Sequence, residues 1–281
     1  MIRVVSWNLW WRFGDWRARR RIIRDVLTEV APDICGLQEV WQDGAENLAE
    51  SLAGELGMRW AWGPARNQHH WQRRIGDDSV RHGTAVLSRW PMDRTRVGIL
   101  SDAHARTMLS TLVRTPDGLL PFHTAHLSAH GDVRFRCDQA KRLARATADP
   151  APRDLPAVLT GDFNARPASP VLDTMREHFT DTWPAARSGQ GHTWLTGDPT
   201  APGGAMSERI DYILLGNGSG RRLAVRSAAV VADEPRNGLW ASDHAAVVID
   251  LVPVSRSPDL DGDRLHDRRL LGHGDRADYV P

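Results

Sequence analysis

The chain has 281 residues, 41% of them hydrophobic and 25% charged, with a formal net charge of +1. This is enough chain for one large globular domain, and too little net charge to steer the whole molecule toward nucleic acid. No run of about eighteen apolar residues occurs, so no membrane span is expected. In chain order, Val4–Trp7 reads as a buried strand. Residues 15–29 carry Ile22, Ile23, Val26 and Leu27 on one side and arginines on the other, as an amphipathic helix does. After Pro32-Asp33 comes a strand at Ile34–Gln38, then a helix over 45–56 stopped by Gly57. Residues 63–82 lack periodicity and read as a long polar loop. Strands follow at 84–88 and 107–114, and Thr115-Pro116-Asp117-Gly118 turns the second into a strand over 119–126. A helix is expected over 133–148 with Arg142 and Arg145 outward, a strand over 157–160, and a short helix over 169–178. Residues 196–208, rich in glycine and proline, should be mobile, and strands close the pattern at 209–215, 223–231 and 245–252.

Beyond Pro253 the composition turns to charge, glycine and histidine, so the expected organisation is one domain over 1–253 and a disordered tail over 254–281. Asp259, Asp261 and Asp263 resemble the start of a calcium loop, but Leu270 stands where its closing glutamate belongs, so a solvated tail is preferred. The first residues read directly as a strand without a basic leader, and Cys35 and Cys137 lie far apart. Reduced thiols and a cytoplasmic location are therefore expected. Lys141 is the only lysine among 36 basic residues, the rest being arginine. Arginine forks bind phosphate in bidentate fashion, although codon bias explains such a composition as well. Twelve tryptophans are many; core packing accounts for most, with Trp60 and Trp62 as candidates for a pocket wall.

Six polar clusters stand at the ends of apolar runs: Trp7-Asn8, Gln38-Glu39, His126, Gly161-Asp162-Phe163-Asn164, Arg209-Ile210-Asp211 and Ser242-Asp243-His244. Strand ends converge on one sheet rim, and carboxylates, amides and imidazoles gathered there suit hard cations and phosphate oxygens. Asp162 and Asn164, two apart on one turn, both reach one pocket while Phe163 anchors beneath. Arg106, just before a strand, is placed to reach a scissile phosphate as a bidentate donor or to sit in a surface ion pair. His123 falls on the opposite strand face from His126 and is left out of the set.

The ordered motifs SWNLW, LQEV, AHLS, GDFNARP, ERIDYILL and SDHAAVVI, covering residues 2–252, resemble the endonuclease/exonuclease/phosphatase (DNase I-like) superfamily. The resemblance implies an α+β fold, a four-layer α/β/β/α sandwich of two packed mixed sheets flanked by helices. It implies a Mg²⁺-dependent phosphoester hydrolase, with Mn²⁺ as a substitute, using in-line attack of water at phosphorus. Glu39 would bind the metal, with Asn8 and Asp243 assisting. His126 would bind the phosphate or act as acid, Asp162 would handle the attacking water or the leaving group, and Asn164 would contact the phosphate. Asp211 would orient His244, which would activate water or bind the phosphate. The pattern departs from many relatives at His82, which stands where they carry a carboxylate before the Gly83–Arg89 stretch; it reads as a loop histidine or a phosphate ligand. The expected partner is a phosphoester substrate, whether a small molecule, a lipid headgroup or nucleic acid, with no obligate protein partner evident. A phosphodiesterase or phosphatase is the first reading and a DNA endonuclease or exonuclease the second. An inactive binding module is a distant third, since no member of the acidic and histidine set is missing.

Overall fold

The structure is a computed structural model and describes residues 1–101, 104–147, 154–186, 189–201, 203–217 and 222–254. The expected tail and its calcium-like stretch at 259–263 lie outside the described residues. The strands are β1 (Ile2–Asn8), β2 (Ile34–Gln42), β3 (Arg59–Pro64), β4 (Arg81–Ser88), β5 (Met92–Ser101), β6 (Arg106–Thr115), β7 (Gly118–His126) and β8 (Val158–Asp162). They continue with β9 (Phe179–Asp181), β10 (Trp194–Thr196), β11 (Ala205–Glu208), β12 (Asp211–Gly216), β13 (Arg222–Val231) and β14 (Ala246–Val254). The helices are α1 (Trp16–Val30), α2 (Leu48–Leu56), α3 (His69–Ile75), α4 (Val133–Thr147), α5 (Pro170–Arg176) and α6 (Trp183–Ala186).

One sheet runs β13-β14-β1-β2-β4-β3 and the other β5-β6-β7-β8-β12-β9, each containing one parallel pair, β1–β2 and β7–β8. Period-two alternation explains the layering. Val4 and Ile34 face the second sheet and pack with Leu109, Phe122, Val158 and Ile213, while their neighbours Val5 and Cys35 pack outward against Ile23, Leu27 and Leu52 of α1 and α2. On the far side, Leu159, Phe163 and Tyr212 meet Leu143 of α4 and Val171 and Met175 of α5. The result is the four-layer α/β/β/α arrangement with two mixed sheets. Each fully buried large side chain among these contributes roughly 1.5–3 kcal/mol from burial. The sheets approach closely near one rim, where a Cβ at Gly36 would stand 1.9 Å from Thr160 Oγ1. Gln38 Nε2 donates to Thr124 Oγ1 at 2.8 Å across the same seam.

Three expectations change. Residues 63–82 are not one long loop: they hold the end of β3, all of α3 and the start of β4, because Trp71 and Gln72 are buried while the rest of that turn faces solvent. Residues 205–208 are not free but form β11, paired antiparallel with β10. β5 was unforeseen; its exposed, arginine-bearing stretch shows little apolar alternation, and its pairing with β6 is what makes it a strand.

Candidate functional site

The register of the second sheet puts three of the expected residues on one rung. His126 pairs with Asp162 across β7–β8, and Asp162 pairs with Asp211 across β8–β12. The first sheet supplies the facing groups: Asn8 ends β1, and His244 lies just before β14. Glu39 sits in a β-bulge between Leu37 and Val40, with φ at 52°, which takes it out of strand alternation. A cavity of about 470 Å³ opens there, and its floor includes Glu39, Arg106, His126, Asp162, Asn164, Asp243 and His244. Asn8 and Asp211 stand behind that floor as hydrogen-bond partners. All nine expected site residues therefore meet at one rim.

The contacts assign protons. Arg106 Nη1 lies 2.8 Å from His126 Nδ1 and, having only hydrogens to give, must donate. His126 then carries its hydrogen on Nε2, 3.3 Å from Asp162 Oδ2. Burial first, then Arg106 and two neighbouring histidines, hold the His126 pKa well below the usual histidine value, so the ring is neutral. His244 is the opposite case. Burial opposes its charge, but Asp211, Asp162 and Asp243 outweigh that and raise its pKa well above the usual value. Its Nδ1 donates to Asp211 Oδ2 at 2.8 Å, and its Nε2 lies 3.7 Å from Asp162 Oδ2.

Asp162 accepts from Asn8 Nδ2 at 3.1 Å and from the Asn164 backbone N–H at 2.9 Å. Burial nevertheless pushes its pKa up to about 6, with Asp211 adding to the effect. Asp243, half-buried, is pushed up to about 6 by burial and by Glu39. Burial also raises Glu39, against the pull of Arg106 and His244. Asn8 favours the ionised form of Glu39 as well, and its Oδ1 accepts from Trp10 N–H at 3.0 Å. The amide thus opposes the effect of burial on both carboxylates.

Oxygen donors crowded this way fit a hard divalent cation, which takes carboxylates and waters. Two groupings offer themselves. Asp162, Asp211 and His244 bring ligand atoms within 4.8 Å of one another. Their shortest contact is already a hydrogen bond, however, and a charged imidazole has no lone pair to give. Glu39, raised by burial and by Asp162, and Asp243, raised by burial and by Glu39, suit the cation better.

Sequence reasoning missed the residue that braces this rim. Arg19 was grouped with the solvent-facing arginines of α1, yet it is 1% exposed. Its five N–H groups donate to the carbonyls of Leu9, Trp10, Trp11, Phe13 and Ala241 at 2.9–3.1 Å. Burial lowers its pKa to about 10, with Asp243 and Glu39 opposing. It holds Trp10 and Trp11 at φ 55° and 38°, a left-handed pair costing about 1–2 kcal/mol per residue. Only the carbonyl positions reveal this, and no pattern in the sequence does.

Other expectations resolve as follows. His82 is not a phosphate ligand: it is buried edge-on against Trp71, ring centroids 4.6 Å apart, and burial lowers its pKa to about 3. Trp60 and Trp62 do not line the cavity; Trp10, Trp71 and Trp194 do. His123 is apart from the site, bonded to Ser110 Oγ at 2.7 Å. Arg106 is buried, not a surface ion pair, and its guanidinium lies 5.3 Å from the Trp71 ring centroid.

A two-sheet sandwich with an acidic, histidine-bearing cavity at one rim is a DNase I-like fold. The chain belongs to the Endonuclease/Exonuclease/phosphatase family, whose model matches residues 5–244. A family structure from Beutenbergia cavernae is 23% identical, with 89% of this chain and 71% of that one covered and a TM-score of 0.67. D. rerio TDP2 complexed with single-strand DNA product is 19% identical, covering 89% and 98%, with a TM-score of 0.71. A mannosyl-6-phosphatase from Bacteroides thetaiotaomicron is 19% identical, covering 90% and 100%, with a TM-score of 0.66. No curated protein matches the sequence. Among the described residues no helix is long and apolar enough to cross a membrane.

Proposed function

We propose that this protein is a divalent-metal-dependent phosphoester hydrolase, with Mg²⁺ the natural cation and Mn²⁺ a substitute, in which water displaces the leaving group at phosphorus in line. The observation that carries the reading is the meeting of Glu39, Asp162 and Asp243 with Arg106 and His244 at one cavity floor. Glu39 and Asp243 would hold the cation, Asn8 bracing Glu39. When bound, the cation supplies charge for the phosphoryl oxygens and polarises them.

The chain's own groups divide the remaining work. Arg106 gives guanidinium charge to the phosphate, and it fixes His126 as a neutral donor through Nε2. His244, held charged by Asp211, offers a second positive group rather than a base. Asp162, pushed up to about 6, is the group suited to take a proton from the attacking water near neutral pH. Asn164, whose Nδ2 donates to the Leu127 carbonyl at 3.0 Å, is left in contact range of a bound phosphate. The Cys35 thiol, buried in the core, and the free Cys137 suit a cytoplasmic location.

A phosphatase or phosphodiesterase acting on a small ester is favoured, since the cavity is compact; the likeness to TDP2 keeps a nuclease as the second reading. Initial rates with bis-p-nitrophenyl phosphate, sugar phosphates, single-stranded DNA and plasmid, each with Mg²⁺ and with chelator, test it. Chelator-sensitive release from at least one small ester is expected. Turnover that is indifferent to chelator, or absent from every ester, contradicts the proposal.

A further inference from the structure

The floor of the cavity accounts for a phosphoryl group and a cation, and leaves its walls without a task. One wall is aromatic: ring centroids are 6.0 Å apart for Trp10 and Phe13 and 6.0 Å for Phe13 and Trp71. The Arg74 guanidinium lies 4.4 Å from the Phe13 centroid and 5.6 Å from that of Trp71. Trp194 faces the same cavity and is 36% exposed. Core packing does not require this placement of Trp10. Its ring is half-buried, Arg19 sits 4.6 Å from its centroid, and its backbone is held in the left-handed region by a buried arginine with no donor to spare. Strain maintained in this way, with the ring turned into a cavity, marks a position kept for a ligand.

We infer that Trp10, Phe13 and Trp71 form a subsite for a planar aromatic group carried by the substrate next to its phosphate, a nucleobase or an aryl ring. The inference rests on the phosphoester reading above and narrows its substrate class. Every base or aryl ring has a π-face that stacks on such side chains, and Arg74, lying over the Phe13 ring, adds a cation to the same wall. A sugar bearing several phosphates fits less well. It would need further guanidinium forks, and among the described lining residues Arg74 is the only arginine or lysine besides Arg106.

The test reads binding, so that it does not depend on turnover. Calorimetry with Mg²⁺ present compares methylphosphonate, phenylphosphonate and an acyclic adenine phosphonate, whose C–P bonds resist hydrolysis. The wild type should bind at least one of the two aromatic ligands about fivefold or more tighter than methylphosphonate, the low end for one stacked ring. Gain with both identifies a general aromatic wall, and gain with the adenine ligand alone identifies a base reader; either supports the inference. Trp10→Leu and Phe13→Leu should each pull the ratio toward one, while Trp10→Phe retains most of it. Equal affinities in the wild type, or a ratio that survives both leucine changes, overturn the subsite while leaving the phosphoester reading intact. Absence of binding by all three phosphonates overturns both.

Discussion

The floor and the aromatic wall of the same cavity are built by opposite means. The second-sheet side of the floor is regular: His126 and Asp162, with Asp211 behind them, occupy one rung of adjacent strands, and strand pairing alone brings them together. The wall is irregular. Trp10 and Trp11 take left-handed backbone conformations that an L-tryptophan resists, and Arg19 makes them persist. The floor is therefore robust in position but electrostatically uncomfortable, with carboxylates raised by burial. The wall is strained in backbone, but the carbonyls of Trp10, Trp11 and Phe13 all find a donor in Arg19.

Arg19→Met breaks the comparison hardest. It removes the Arg19 donor from five carbonyls, of which, among the described residues, Trp10 O alone keeps a second donor, Phe13 N–H. It also frees the strained turn, while the strands of the floor keep their pairing. A loss of at least about 3 kcal/mol in urea unfolding is expected, since each orphaned buried acceptor costs about 1–3 kcal/mol. A change under 1 kcal/mol would mean that the turn holds itself.

Asp162→Asn acts on the other side. Turnover should fall by at least about 10²-fold, the scale of a lost acid–base group. The sign for stability is reversed. A carboxyl pushed up to about 6 in the folded chain and ordinary in the unfolded one makes folding less favourable as pH rises through that interval. The metal-free variant should therefore melt no lower than wild type at about pH 7.5, on the same linkage. Near wild-type turnover removes Asp162 from the mechanism.

This division also explains what could be read in the sequence. Asn8, Glu39, Asp162, Asp211 and His244 close or open apolar runs, and strand ends share a rim, so the floor and the two-sheet sandwich were legible. Glu39 was found despite its bulge, because the LQEV motif marks it whatever its backbone does. Arg19 was not legible, because its partners are carbonyls and its neighbours on α1 are solvent-facing arginines. β5 was hidden for a related reason: a sheet edge with exposed arginines shows no alternation to detect. α3 escaped because it is short and buries only Trp71 and Gln72.

The central claim is that the floor's carboxylates are kept in discomfort for a divalent cation, and thermal unfolding with and without Mg²⁺ or Mn²⁺ at two pH values tests it most directly. Asp162 and Asp243, both raised to about 6, retain protons in the folded chain that the unfolded chain gives up nearer pH 4. Their penalty is absent below that lower value, grows as pH rises, and is complete above about pH 6, at up to roughly 3 kcal/mol per group. A bound cation would relieve it, so the metal-induced rise in Tm should be larger at about pH 7.5 than at about pH 5, and Glu39→Gln should shrink it. A Tm that ignores the metal at both pH values, or a rise that Glu39→Gln leaves untouched, would contradict the account.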